Sequence, residues 1–280
     1  MLFKLQKASG ILFALIAGAI IFGFIFWGIN YSLAEPKFNT LRLMLVIPAY
    51  LFLAVYAYLF LSSLNMAYKA EDDGLHIRWG IRRITIPWHE IEHIIHVKGK
   101  SNFYSVFGTS WPGHMIGLYI AKGLGSVRMY ATHPLKGFVY LKSARGFYGL
   151  TPLEKDLQVM LDMISQKTGH KVNTLDMDLM DPEIKGESMH DDPFFKILFW
   201  LNVIFLVIFA AYLGMFYPGS GVPHFIILLL VLAVALFFFS ISNAGRLYQF
   251  SANGGYVLLV IGAAVTGIFM ILALSEITLK

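Results

Sequence analysis

The stretch Glu71-Asp72-Asp73-Gly74-Leu75-His76-Ile77-Arg78-Trp79-Gly80 opens with a turn and continues with strict alternation. Asp73-Gly74 is a favoured dipeptide for a two-residue hairpin turn. Behind it, an extended chain puts Leu75, Ile77 and Trp79 on one face and His76 and Arg78 on the other. The pattern predicts a hairpin from 65–70 to 75–79 with one dry and one wet face, as in an antiparallel sheet outside a membrane. Runs of β-branched and aromatic residues at 83–87, 91–97, 115–120, 126–131, 137–141 and 146–150 extend it to a sheet of about seven strands.

Beyond residue 150 the period changes. Thr151-Pro152-Leu153-Glu154 reads as a capping box with Pro at the first helical position. Leu153, Leu157, Met160, Leu161 and Ile164 then form one apolar stripe that Gly169 stops. Residues 66–170 are therefore expected to form a β-barrel or sandwich plugged by a C-terminal helix.

The flanks belong to a different solvent. The chain is 57% hydrophobic and 14% charged, against about 25% charged in soluble domains. Charge-free windows long enough to cross hydrocarbon lie at 11–29 and 43–64 before the sheet, and at 197–217, 224–241 and 255–274 after it. The turn Pro218-Gly219-Ser220-Gly221-Val222-Pro223 divides the third window from the fourth, and Ala263 and Gly267 offer a small-residue face on the last. Although Ser32-Leu33-Ala34 resembles a cleavage site, the first window is too long for a signal-peptide core. The expected layout is two transmembrane helices in 1–65, the β domain at 66–170, an acidic linker at 171–196 and three helices in 197–280. The linker assignment follows charge: 66–170 holds 13 Lys/Arg against 8 Asp/Glu, whereas 171–196 holds 3 against 7.

The absence of cysteine removes disulfides, thiolate nucleophiles and cysteine metal sites. The net charge of +5 is not gathered into the basic helix or dense run that nucleic acid requires. Flanking Lys4, Lys7, Lys69, Lys185, Lys196 and Arg246, against Lys37, Arg42 and Lys280, predict a cytoplasmic amino terminus and β domain with the carboxyl terminus outside.

The run from Glu71 to Gly80, with Ile86-Pro87-Trp88 and Ile91 after it, resembles the opening of a bacterial pleckstrin-homology (PH) domain. Phe107-Gly108-Thr109-Ser110-Trp111-Pro112-Gly113 with Gly117, then Val127-Arg128-Met129-Tyr130-Ala131-Thr132, and Tyr148-Gly149-Leu150-Thr151-Pro152, are similar to its middle and end. The resemblance covers 66–170 and leaves the helices aside. It implies a membrane-anchored binding module and carries no catalytic residues to transfer.

Two chemistries compete with that reading. His89-Glu90-Ile91-Glu92-His93 is a literal H-E-x-x-H, which on a helix would hold zinc through His89 and His93 with Glu90 activating water, as in a membrane protease. Pro87 just before it and Ile94-Ile95-His96-Val97 just after favour a turn and a strand instead, which sends His93 and His96 to opposite faces. A phosphoinositide cage would need a basic first hairpin, and this one is acidic at Glu71, Asp72 and Asp73. Weaker attraction to anionic lipid remains open through Arg82, Arg83, Lys98, Lys100 and Lys122. The segment 99–114 reads as a long aromatic loop, so Phe103, Tyr104, Phe107 and Trp111, with Lys98, Lys100 and Lys122, are the candidate ligand- or partner-binding residues. Intramembrane Asn202 is expected to bond a neighbouring helix. The expectation is a non-catalytic adaptor, without metal or cofactor, whose partners are the lipid bilayer and a protein or a second copy of itself.

Overall fold

The computed structural model describes residues 1–3, 5, 8–99, 102–111, 113–132, 138–181, 184, 189–216 and 221–278. They divide into two compact units: Met1–Gly18 with Ala54–Gly186, and Ala19–Leu53 with Glu187–Lys280. Helix α1 (Ala8–Ser32) and helix α2 (Asn39–Leu64) each contribute to both.

The first unit holds two sheets. Strands β1 (Leu2–Phe3), β2 (Ala67–Ala70), β3 (Gly74–Trp79) and β4 (Arg82–Pro87) form one, in that order, with the expected hairpin pairing Ala70 to Leu75. The second contains β5 (Ile91–Lys98), β6 (Phe103–Trp111), β7 (His114–Ala121), β8 (Gly125–Ala131), β9 (Phe138–Ser143), β10 (Gly146–Leu150) and β11 (Val172–Asp176). Its order is β11-β5-β9-β10-β8-β7-β6. It is not purely antiparallel, since β10 runs parallel to β8 and β11 parallel to β5.

Both faces of the larger sheet are dry along its inner strand β9. Val139 and Leu141 of β9 point into a core shared with Leu75, Ile77 and Ile86 of the smaller sheet, while Phe138 and Tyr140 point into a second core with Met115, Val127 and Met129. Helix α3 (Glu154–Thr168) closes the first core with buried Met160, Leu161 and Ile164, and Gly169 caps it in the left-handed conformation. The plugged sandwich is as expected, but the capping box is not made. Leu153 occupies the N-cap, and the Thr151 hydroxyl instead accepts the Thr132 N–H at 2.7 Å.

Two expected loops are strands. The segment 99–114 supplies β6, which pairs with β7 along its length apart from a bulge between Ser105 and Phe107. The supposed linker 171–196 begins with β11 and buries Met177. One of its acids also has structural work: Asp192 Oδ1 accepts the N–H groups of Phe194 (2.8 Å) and Phe195 (3.2 Å), and Oδ2 accepts the hydroxyls of Tyr248 and Tyr256.

In the second unit α4 (Pro193–Phe216), α5 (His224–Phe250) and α6 (Ala252–Thr278) pack together. Among the described residues, five helices are long and apolar enough to cross a membrane, at Gly10–Ser32, Pro36–Leu64, Pro193–Phe216, His224–Phe250 and Ala252–Ser275. They extend the five expected windows because a helix continues past the hydrocarbon into the headgroup layer. The turn at 218–223 lies partly outside the described residues. Asn202 does bond a neighbouring helix, its Nδ2 donating to the carbonyls of Leu198 and Leu259 at 2.9 Å each. Among α4, α5 and α6 the tight position is Gly262 rather than Gly267: a Cβ at 262 would lie 2.8 Å from both Asn202 Oδ1 and Ser240 Oγ.

Because α3 seals the core, Leu161→Asp should abolish folding of the β domain, burying a charge with no partner. Limited proteolysis should show rapid cleavage within 66–170. Val159→Asp, at an exposed position on the same helix, should leave resistance unchanged.

Candidate functional site

The residues singled out from sequence do not converge on one site. Phe103 meets Tyr119 and Phe138 edge-on at 6.1 and 5.4 Å and belongs to the second core. Phe107 is 79% exposed, and Tyr104 is half-buried. Trp111 stacks on His114 with centroids 3.9 Å apart and lies 6.0 Å from the Tyr56 ring of α2. Lys98 ends β5, where its carbonyl accepts the Met177 N–H, and Lys122 turns the chain after β7 with its N–H on the Asn102 carbonyl. Lys100 lies outside the described residues.

His89, Glu90 and His93 form no helix. Trp88–Glu90 is one 3-10 turn, and His93 lies in β5 after a register shift. Glu90 is 3.3 Å from the Arg145 guanidinium. Among the described residues, the group with ligand atoms within 4.8 Å of one another is Glu71, Asp73 and His76. Lys69 lies on Glu71 at 2.5 Å and the His76 ring on Asp73 at 2.8 Å, and both carboxylates are exposed.

The polar cleft lies elsewhere, at the open lip of the first core. On β4 the inward row runs Ile86, Ile84, Arg82, and on β8 the parity of buried Tyr130 continues to Arg128. Where the apolar rows run out, they end in guanidinium groups. Arg82, Arg83, Ile84, Thr85, Arg128, Tyr130, Arg145 and Tyr148 line a cleft of about 420 Å³. Arg128 donates to the Tyr148 hydroxyl at 3.2 Å and lies 5.7 Å from its ring centroid. Burial pushes the Tyr130 phenol up, against an opposing pull from Arg82 and Arg128, so it remains a hydroxyl donor at neutral pH. Arg145 has Glu90 at the rim. Among the described residues, Arg82, Arg83 and Arg128 have no carboxylate in ion-pair range.

The floor is rigid. Tyr68 of the smaller sheet is fully buried, its hydroxyl donating to the Tyr130 carbonyl and accepting the Thr151 N–H at 3.1 Å. Sequence reading named Arg82 and Arg83 but missed Arg128 and Arg145. The signal that finds the cleft is a charge on the core-facing parity of a strand.

Residues 66–167 match the family model described as "Bacterial PH domain". The β domain is a bacterial PH domain. It sits in a multi-span membrane protein. The chain is also similar to an uncharacterized protein of Clostridium acetobutylicum, 25% identical over 174 residues that cover 60% of this chain and 54% of the relative. The chain thus spans about half the length of the curated relative it matches. No solved structure is matched.

Within the PH domain, His114 is wholly enclosed, with Nε2 3.2 Å from the Thr109 hydroxyl and Nδ1 without a partner. Burial lowers its imidazole from 6.5 to about 4. The native state favours the neutral ring, so stability is complete above pH 6.5 and declines as pH falls towards 4, by about 3 kcal/mol. Thermal unfolding of the detergent-solubilised chain at pH 7 and pH 4.5 should show a smaller acid-induced drop in Tm for His114→Phe than for the parent.

Proposed function

We propose that the PH domain is a non-catalytic recognition module, held at the bilayer by its helices, that receives an anionic group of a membrane-proximal ligand or partner in the arginine cleft. One observation carries the reading: Arg82, Arg83 and Arg128, which among the described residues have no carboxylate partner, line one cleft where the core opens. Like charges in one cleft repel, and an incoming phosphate or carboxylate relieves that repulsion while taking charge-assisted hydrogen bonds. Tyr130, Tyr148 and Thr85 add hydroxyls suited to fixing an oxyanion. The described lining offers guanidinium and hydroxyl groups suited to recognition. Glu90, the water activator of the protease alternative, instead faces Arg145.

The reading puts the PH domain in the cytoplasm, on the side of Lys69, Lys196 and Arg246 and away from Lys37 and Arg42. Reporter fusions at Lys98 and Gly221 should give inside and outside signals respectively. The reverse pair would contradict this orientation.

Calorimetric titration of sn-glycerol 3-phosphate into the full chain, in discs of neutral lipid, tests the cleft. Binding that weakens with salt is expected, together with a loss of about 10-fold or more in Arg128→Gln, the scale of one charged hydrogen bond. Glu90→Ala, which releases Arg145, should bind at least as well as the parent. Absence of binding, or equal binding by Arg128→Gln, would defeat the proposal.

A further inference from the structure

The second unit carries a cavity of its own, unconnected with the arginine cleft. Within that unit α1 packs against both of its neighbours. Phe26 meets Tyr50 of α2 with ring centroids 4.4 Å apart, and a Cβ on Gly28 would overlap the Val231 side chain of α5. The Tyr31 hydroxyl also donates to the Val222 carbonyl at 3.3 Å, just before α5 begins. Beside α1, however, the walls offered by α2 and α5 carry small side chains, Pro48 and Ala49 on one and Ala235 on the other. A groove of about 560 Å³ is left between them, with Ile25 of α1 in its lining.

The groove matches one leaflet in both length and polarity. It follows α5 from Val231 to Asn243, about 18 Å of helix, against about 15 Å for half of the hydrocarbon core. Its lining is apolar until Ser242 and Asn243, which come one turn before Arg246, the charge on α5. A charge avoids hydrocarbon, so Arg246 marks the headgroup layer and the two polar residues lie just beneath it, at the depth where esters join tails to headgroups. Water does not fill a space lined by apolar groups, and the surrounding solvent is itself hydrocarbon. The Ser242 hydroxyl is a donor, and Asn243 Nδ2, which gives one hydrogen to the Phe239 carbonyl at 2.8 Å, carries a second. Neutral donors suit an ester carbonyl. A free carboxylate at that depth would exchange its hydration for neutral groups at a much larger cost.

We infer that the groove is a site for one acyl chain of a bilayer glycerolipid, in the leaflet at the carboxyl-terminal end of α5. The ester carbonyl sits on Ser242 and Asn243, and the methyl end of the chain stops where Gly28 meets Val231. The tail makes the contacts that Pro48, Ala49 and Ala235 are too small to make with one another, and so joins α2 to α5. The site selects a neutral ester and a chain of leaflet length, whatever the headgroup.

Photolabelling of the full chain in phosphatidylcholine discs tests the site. The probe is a trace of phosphatidylcholine with a diazirine midway along one acyl chain. Peptide mapping should give several times more adduct on 45–52 and 231–239 than on 257–272, a stretch of α6 that also exposes large apolar side chains. Ala235→Phe, which fills the groove, should cut the groove adducts several-fold and leave those on 257–272 unchanged, with the Tm of the parent showing an intact fold. Ser242→Ala/Asn243→Leu, which removes the donors and keeps the space, should also lower the groove yield. Palmitic acid carrying the same diazirine should label the groove less than the ester does. Even labelling of all lipid-facing spans, groove adducts that survive both variants, or stronger labelling by the free acid would overturn the inference.

Discussion

Asn65 and Gly80 exchange two hydrogen bonds at the point where the chain leaves α2. A single hydrogen bond of this kind contributes about 1 kcal/mol. Here both groups of one carboxamide are used on one residue, and the glycine admits Ser62 where a side chain would be excluded. The β3–β4 hairpin thereby becomes an extension of the helix end. Through Tyr68, whose hydroxyl bonds to Tyr130 and Thr151, the smaller sheet is in turn tied to the larger one. The cleft, walled by β4 on one side and by β8 and β10 on the other, inherits its position from that chain of contacts.

Catalysis and recognition ask different things of such a cleft. Catalysis needs a group poised to lose or accept a proton near neutral pH, whereas the residues here are guanidinium groups, which stay charged, and a buried phenol pushed upward. Recognition needs fixed charge on a rigid wall, which β-strands with dry faces provide. The His114 imidazole is also perturbed by burial, but it is enclosed and stacked on Trp111.

The parts of the fold legible in sequence were those where one physical signal acts alone. Lipid tolerates no charge, so five charge-free windows marked five spans. One strongly periodic face marked α3, with Gly169 as its stop, and Asp73-Gly74 marked the first hairpin. Signals in competition were misread. Strand β6 carries Gly108 and a bulge, and exposes Phe107, so its composition resembled a loop. Strand β11 joins β5 through backbone bonds but is short and is followed by a run of acids, so the charge of the segment resembled a linker. The cleft was only half legible because its arginines come from β4, β8 and the turn before β10, brought together by sheet order. Arg128 nevertheless shared the parity of Tyr130, and a charge on an inward row was the available clue.

The central claim is that the arginine cleft is an anion site. Nuclear magnetic resonance of the full chain, labelled with nitrogen-15 at arginine and held in discs of neutral lipid, reads the guanidinium groups directly. Adding sn-glycerol 3-phosphate should shift the Nε–H signals of Arg82 and Arg128, identified by their loss in Arg82→Gln and Arg128→Gln. Shifts confined to other arginines, or no shift at all, would contradict the account.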